Sequence, residues 1–399
     1  MIYRLFRKVA GKVYGNVIKR LFSVLGKLPK KKNVIIFESF HGKQYSCNPR
    51  AIYEYMKDNR PGYVMYWSVD TKGMKVFESR DVNVLKKFSP KWVYMMARAK
   101  YWVINTRVPV WMQKPKKTVY LQTWHGTPLK KLGIDIDDVQ MPGTTTEKYR
   151  KNFLKEAAQW SYLIAPNQYS ADIFRKAFGF SGKMLNSGYP RNDILHNENN
   201  EAVINQLKDK LGIDREKKVI LYAPTWRDDE YFEVGKYKFS LKLDLAKMQE
   251  ALGDEYVILL RMHYLIAQHL NIADYEGFAY NVSGYADIRD LYLVSDLLIT
   301  DYSSVFFDYA NLKRPMIFFV YDIDKYRDDL RGFYIDFEQE APGPLVKDND
   351  ALLEAIRNAD STDEIDEAFY RKFCAWENGR ASERVVAAVF DEQSNSIRK

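Results

Sequence analysis

Short apolar runs alternate along this chain with stretches in which apolar side chains recur every three or four positions. The runs predict strands over 34–37, 63–69, 102–105, 119–124, 163–166 and 184–188, with helical spacing between them over 49–56, 90–99 and 148–158. A polar segment at 196–200 follows, and the pattern restarts. Strands are predicted over 219–223, 256–260, 297–300 and 316–320, and helices over 245–252, 288–294, 304–312, 351–357, 366–376 and 382–390. Repeated strand-helix alternation predicts parallel sheets covered on both faces. The chain therefore reads as α/β, with two Rossmann-like doubly wound domains over 34–195 and 196–375. A last segment, 376–399, crosses back toward the first domain in this reading. Open parallel sheets bind ligands beyond the carboxyl ends of their strands, so the expected site is a cleft between the two halves.

The stretch 287–308 shows how such a site is built. Ile288, Leu291, Tyr292 and Val294 lie at helical spacing, Leu297, Leu298 and Ile299 form a buried-strand run, and Ser303 and Ser304 open the next helix. A strand end meeting a helix start offers hydroxyls and unpaired N–H groups on one side, which suits phosphate. A Ser at a helix start also serves as an ordinary N-cap, and the stretch alone leaves both readings open.

Polar residues that follow each predicted strand are therefore candidates for the same role. They are Glu38 and His41; His125, Gly126 and Thr127; Gly188, Tyr189, Pro190 and Arg191; Thr225, Trp226 and Arg227; Arg261 and His263; and Asp301, Ser303 and Ser304. Three of the five histidines fall in this set. A neutral imidazole at His125 suits a general base near neutral pH, and Gly126 beside it permits close approach of a ligand to the backbone. Arg261 and His263 alternate along a strand, so both point to one side, as two donors to one anion require. Arg227 pairs with phosphate or with Asp228 and Asp229 beside it, and Arg50 opens the helix after the Asn48-Pro49 turn.

Charge changes the picture only at the N-terminus. The net charge is +9, yet Arg4, Arg7, Lys8, Lys12, Lys19, Arg20, Lys27, Lys30, Lys31 and Lys32 are unaccompanied by any acid in residues 1–32. Removing these ten from the 61 Lys and Arg leaves 51 against 52 Asp and Glu, so the body is near neutral and offers no extended basic stripe for nucleic acid. Within 1–33, Ile2, Leu5, Phe6, Val9, Val13, Val17, Leu21, Leu25 and Leu28 recur at helical spacing, and Pro29 ends the pattern. No run reaches the roughly 20 apolar residues of a spanning helix, and no contiguous apolar core marks a secretory signal. The segment reads as an amphipathic helix lying on an anionic membrane surface, with Arg4, Arg7, Lys8, Lys12, Lys19 and Arg20 toward the lipid head groups. A helix packed on the protein's own core is the alternative. Only Cys47 and Cys374 are present, so no disulfide framework is expected and a reducing compartment fits. No Cys/His cluster has zinc spacing, and no metal or other cofactor is expected.

Taken in order, Trp124-His125-Gly126-Thr127-Pro128-Leu129-Lys130, Gly188-Tyr189-Pro190-Arg191-Asn192-Asp193, Ala223-Pro224-Thr225-Trp226-Arg227, Arg261-Met262-His263 and Thr300-Asp301-Tyr302-Ser303-Ser304 with Phe307-Asp308 resemble the CDP-glycerol glycerophosphotransferase family of teichoic acid synthesis. Asn48-Pro49-Arg50 and Gly379-Arg380-Ala381-Ser382-Glu383-Arg384 resemble it too, so the resemblance spans about residues 34–390. It implies a GT-B fold and transfer of glycerol phosphate from CDP-glycerol to a hydroxyl of a polyprenyl-diphosphate-linked saccharide acceptor, with release of CMP and without a catalytic metal. The family's two functional histidines fall on His125 and His263, and its phosphate-contacting serines on Ser303 and Ser304. In that reading His125 takes the acceptor's proton, while His263, Arg261 and the serine pair stabilise the breaking diphosphate, with Gly126, Thr127, Arg191, Arg227 and Asp301 lining the substrate. Met262 stands where the family often has Pro. The compact length leans toward a primase or single-addition enzyme rather than a polymerase. A CDP-ribitol enzyme, a sugar-nucleotide glycosyltransferase of the same fold and a non-enzymatic binding module are the rival readings. The expected location is the cytoplasmic face of the membrane, held peripherally, and the assembly state is open, a homo-oligomer included.

Overall fold

The computed structural model describes residues 15–139, 143–225, 231–233, 236–237, 241–262, 272–323, 332–359 and 366–391. They form two compact units. Unit 1 takes the described residues within 1–125, 132–191 and 380–399, and unit 2 those within 126–131 and 192–379.

Unit 1 is built on a seven-stranded sheet of β1 (Lys31–Glu38), β2 (Val64–Val69), β3 (Val84–Lys86), β4 (Ala99–Ile104), β5 (Val119–Gln122), β6 (Tyr162–Ala165) and β7 (Lys183–Asn186). The order is β3-β2-β1-β4-β5-β6-β7, and every pairing is parallel. Val34, Ile35, Ile36 and Phe37 of β1 are all buried, as a central strand covered on both faces requires. One face packs Phe37, Trp67, Tyr53 and Met56 against Val385, Val386, Val389 and Phe390, so the chain's last described helix completes the core of unit 1. The strand order reverses between β1 and β4, the topological switch point at whose carboxyl end doubly wound sheets place ligands.

Unit 2 repeats the plan. Its six-stranded parallel sheet uses β8 (Lys218–Tyr222), β11 (Tyr256–Leu260), β12 (Ala279–Asn281), β13 (Leu297–Thr300), β14 (Met316–Phe319) and β15 (Leu345–Val346), in the order β12-β11-β8-β13-β14-β15. The intervening β9 (Tyr231–Glu233) and β10 (Lys236–Tyr237) form a small antiparallel ribbon. Here the switch point lies between β8 and β13. The helix Ile288–Val294 that feeds β13 is capped by Asp287, whose carboxylate accepts from the Arg289 backbone N–H and pairs with the Arg289 guanidinium at 2.7 Å.

Of the predicted N-terminal helix, residues 15–25 are described and helical. Arg4, Arg7, Lys8 and Lys12 lie outside the described residues. Ile18 and Phe22 are buried, with the Phe22 ring 5.9 Å from Trp111 and 6.3 Å from Trp102. Val17 and Val24 are 55% and 61% exposed, and Leu21 and Leu28 are exposed with them. The segment therefore has two apolar faces, one turned to the sheet of unit 1 and one to solvent. No helix among the described residues is long and apolar enough to cross a membrane.

Candidate active site

The described candidate substrate residues follow the carboxyl ends of the strands. In unit 1, β5 ends at Gln122 and the chain runs through Thr123 and Trp124 to His125. Trp124 adopts a φ of +50°, a left-handed conformation that side-chain-bearing residues rarely take, and this turn carries the chain from the strand end to His125. The His125 ring stacks on Trp124 at 4.6 Å and meets the edge of Phe40 at 5.7 Å. Its Nδ1 lies 2.7 Å from the carbonyl oxygen of Asn105, the residue just past β4. A carbonyl accepts only, so Nδ1 carries the proton and Nε2 holds the lone pair, which is the tautomer a general base needs. Burial, followed by the charges of Arg191 and His41, pulls the His125 pKa down to about 4 against the raising effect of the Asn105 carbonyl.

The turn is held from behind. Asn48, fully buried, donates from Nδ2 to the carbonyls of Thr123 and Trp124 at 3.1 and 3.3 Å, and its Oδ1 accepts from the Arg191 backbone N–H at 3.1 Å. The Arg191 guanidinium donates to the His125 carbonyl at 2.7 Å and to Cys47 Sγ at 3.3 Å, and lies over the Tyr189 ring. The Arg191 guanidinium thus ties down the His125 turn through the turn's backbone carbonyl. Arg50, at the start of the same helix, pairs with Glu54 and lies over Tyr45. At the β1 end, Glu38 forms a buried pair with Lys87 at 2.8 Å and accepts from Ser68, while Phe40, His41 and Gly42 in succession take positive φ. Asn105 joins the two loops, accepting the Phe40 N–H at its Oδ1 and the His125 ring at its carbonyl. The apolar run predicts a strand through Asn105, which hides it among strand residues; β4 ends at Ile104, so Asn105 is the first polar residue past the strand.

In unit 2 the ends of β8 and β13 are tied together. Asp301, buried, accepts the Thr225 N–H at 2.7 Å, and Thr300 donates to the Ala223 carbonyl. Ser303 and Ser304 follow, half-buried, ahead of the helix Val305–Tyr309. The Ser304 hydroxyl makes no capping bond to that helix, and neither serine hydroxyl bonds another described residue. Gly126 and Thr127 belong to unit 2, as the chain leaves unit 1 after His125. Both are buried, and a Cβ on Gly126 would stand 3.1 Å from Ser304 Oγ. Gly126→Ala should therefore displace the Ser304 hydroxyl while leaving the melting temperature nearly unchanged; in the role the family resemblance implies for Ser304, steady-state kinetics on CDP-glycerol should show a loss on the order of 10-fold.

Arg261 is largely occupied. Its Nη1 donates to the carbonyls of Val282, Ser283 and Tyr285 at 2.7, 2.9 and 2.6 Å, which folds the 282–285 loop around the guanidinium, and burial lowers its pKa. His263 and Arg227 lie outside the described residues, so their placement carries no part of this geometry. Among the described residues no group of three His, Cys, Asp or Glu side chains that could hold a metal ion comes together.

Residues 20–391 match the family described as CDP-Glycerol:Poly(glycerophosphate) glycerophosphotransferase. The chain belongs to this family of transferases. It is 57% identical over 387 residues to the teichoic acid poly(glycerol phosphate) polymerase of Bacillus subtilis, covering 96% of this chain and 52% of that one. The polymerase of Bacillus spizizenii is 52% identical, with 96% and 97% covered, and the teichoic acid glycerol-phosphate transferase of Staphylococcus aureus is 50% identical, with 94% and 99% covered. The chain thus spans about half the length of the first relative and nearly all of the other two. A solved structure of the wall teichoic acid polymerase TagF, a histidine variant with CDPG, matches with a TM-score of 0.89 at 42% identity, covering 99% of each chain. The fold is accordingly GT-B-like, with two Rossmann-like parallel sheets. Ribitol-phosphate relatives match at 30–31% and a glycerol-phosphate primase at 28%. The lean toward a primase drawn from compact length is therefore corrected, since polymerase and primase relatives alike include chains of this length.

Proposed function

We propose that this chain transfers glycerol phosphate from CDP-glycerol to a hydroxyl of a polyprenyl-diphosphate-linked teichoic acid acceptor that already bears glycerol phosphate, releasing CMP. The observation that carries the reading is the fixed tautomer of His125. In this mechanism Nε2 accepts the proton of the acceptor hydroxyl as its oxygen attacks the phosphorus bearing glycerol. The bond from that phosphorus to the bridging oxygen breaks, and CMP leaves with the electron pair. Ser303, Ser304, Thr127 and the backbone at Gly126 hold the donor's phosphates, and Asp301 keeps the strand ends of unit 2 in register beneath them. Phosphoryl transfer depends mainly on positioning and on stabilising developing charge, so N–H groups, hydroxyls and cations suffice for these tasks. His263, Arg227 and the free edge of Arg261 supply the cations in this proposal.

Glycerol rather than ribitol is favoured as the donor's alcohol because the two Bacillus poly(glycerol phosphate) polymerases match at 57% and 52% against 30–31% for the ribitol-phosphate relatives, and extension rather than priming because the glycerol-phosphate primase matches at 28%. An acceptor carried on a lipid places the enzyme at an anionic membrane surface, with Lys19, Arg20 and the basic residues before them toward the head groups.

The test is CMP release from CDP-glycerol, CDP-ribitol and UDP-sugars, each with a lipid-linked disaccharide and with a glycerol-phosphate-primed acceptor. Release from CDP-glycerol that depends on the primed acceptor is expected. Turnover of CDP-ribitol or a UDP-sugar in its place would overturn the donor assignment, and preference for the unprimed disaccharide would overturn extension.

A further inference from the structure

Among the polar residues past β1, Glu38 is engaged by Lys87 and Ser68. His41 differs. Its backbone N–H and carbonyl are both bonded, yet its exposed ring makes no hydrogen bond or ion pair with a described residue. The turn that presents this ring is strained. Phe40 and His41 take φ of +44° and +60°, a left-handed conformation that persists only where the surroundings enforce it. Here Asn105 Oδ1 accepts the Phe40 N–H at 2.9 Å and Thr106 Oγ1 the His41 N–H at 3.3 Å. Gly42 fits so tightly that a Cβ would stand 2.7 Å from the Asp70 nitrogen. Such strain clusters at active sites and ligand clamps. The turn leads to the base: the Phe40 ring meets that of His125 at 5.7 Å, and the His41 charge adds to burial and Arg191 in lowering the His125 pKa.

The loop that pins His41 through Thr106 continues into Arg107. The Arg107 guanidinium lies over the rings of Phe153 and Tyr149, at 4.7 and 5.3 Å, which fixes its plane while the side chain stays 35% exposed. The acid beside it is Glu156, but Nε and Oε2 are 4.0 Å apart, beyond hydrogen-bond distance, and neither Nη bonds a described residue. Burial pushes the Glu156 pKa up to about 7, and its carboxylate already takes the Val108 N–H and the Tyr120 hydroxyl. Much of the Arg107 charge is therefore uncompensated. Partial desolvation of the ring lowers the His41 pKa, and Lys87, Lys43 and Arg107 lower it further against the opposing Glu38. The imidazole is thus neutral at pH 7, with one N–H to donate.

A neutral N–H donor and a guanidinium fork with open donors, beside one general base, match an oxyanion. In a glycerol-phosphate-primed acceptor the attacking hydroxyl and a phosphodiester sit on the same glycerol unit, so seating the hydroxyl on His125 brings that anion close beside it. The lipid-linked disaccharide has no phosphate on the sugar that carries its accepting hydroxyl. We infer that His41 and Arg107 form the subsite of unit 1 that holds the phosphodiester of the acceptor's last glycerol phosphate, and so set the preference for a primed acceptor. The inference rests on the transfer proposed above and assigns its acceptor subsite.

Steady-state kinetics of the full chain test it, with wild type, Arg107→Gln and His41→Ala acting on the primed acceptor, on its uncharged methylphosphonate analogue and on the unprimed disaccharide. Arg107→Gln should raise KM for the primed acceptor about 10- to 100-fold and His41→Ala roughly 10-fold, the range lost with a hydrogen bond to a charged group. KM for CDP-glycerol should stay within a few-fold of wild type. The methylphosphonate should cost the wild type a similar factor and cost Arg107→Gln little, because the interaction it removes is already gone. An equal penalty in both proteins would overturn the subsite, as would a rise confined to KM for CDP-glycerol. A lowered melting temperature with an unchanged ratio of primed to unprimed use would mark a merely structural role and overturn it too. Calorimetric titration with glycerophosphoglycerol needs no turnover: Arg107→Gln should bind it about 10-fold or more weakly than the wild type. That result without CMP release from CDP-glycerol would retain the subsite and overturn the transfer reading. CMP release with equal binding by the two proteins would overturn the subsite alone.

Discussion

His125→Ala is expected to lower CMP release from CDP-glycerol by about 100- to 10,000-fold, the range that removal of a positioned general base produces. The side chain is half-buried, makes one hydrogen bond, to the Asn105 carbonyl, and otherwise only ring contacts with Trp124 and Phe40, so the loss should fall on turnover with the fold retained. The pH dependence sharpens the test. With its pKa held near 4 by burial, His125 stays deprotonated, and so able to accept a proton, well below the 6.5 of an ordinary histidine. The acid limb of kcat/KM, which reports the free enzyme, should accordingly lie below pH 6.5 and vanish in the alanine variant. The same shift affects stability. Between about pH 4 and 6.5 the unfolded chain binds a proton at this residue that the folded chain does not, so stability rises with pH through that window and falls as the solution is acidified. Turnover by His125→Ala within a few-fold of wild type would remove His125 from the chemistry.

Asn48→Ala is expected to cost about 2 kcal/mol of stability, because it orphans the Thr123 carbonyl and the Arg191 N–H in a buried setting, at about 1 kcal/mol or more each, and leaves the Trp124 carbonyl to the Thr123 hydroxyl alone. Its larger effect should be on kcat. The left-handed backbone at Trp124 is held against its own preference by these bonds, and releasing it lets the His125 ring drift from the Asn105 carbonyl. A loss of turnover on the order of 100-fold follows from a displacement of about 1 Å. Asn48→Asp should be no better, since a carboxylate oxygen would then face two carbonyl oxygens. A purely structural role would lower the melting temperature and leave the kinetics of the folded fraction alone. Positioning through His125 also moves the acid limb of kcat/KM back toward 6.5 as the ring becomes solvated. Chemical denaturation together with a pH-rate profile separates the two, and an unshifted profile with normal kcat would sink the positioning role.

The two sheets were legible because their central strands are buried on both faces and so are written as continuous apolar runs. The helix Ile288–Val294 and the strands Tyr256–Leu260 and Leu297–Thr300 match the predicted spans residue for residue. β3, β12 and β15 were not predicted. Each is two or three residues long and lies at a sheet edge. Half-exposed edge strands carry no distinctive run of their own, and their pairing partner alone makes them strands. The placement of His125, Ser303 and Ser304 past the ends of β5 and β13 was legible because a polar residue just after a buried run sits at a carboxyl edge.

The sequence by itself thus determined the α/β class, the two Rossmann-like units, the family, and which residue types stand at the strand ends, since all of these follow from local periodicity and short contiguous motifs. The tertiary structure decided what those residues do to one another. It turned Arg191 inward onto the His125 carbonyl, folded Arg261 around the 282–285 carbonyls, chose the His125 tautomer through a carbonyl twenty residues away, and left the Nη groups of Arg107 unbonded among the described residues. Hydrogen-bond partners and burial depend on groups brought close by folding, and no spacing along the chain encodes which donor will find which acceptor.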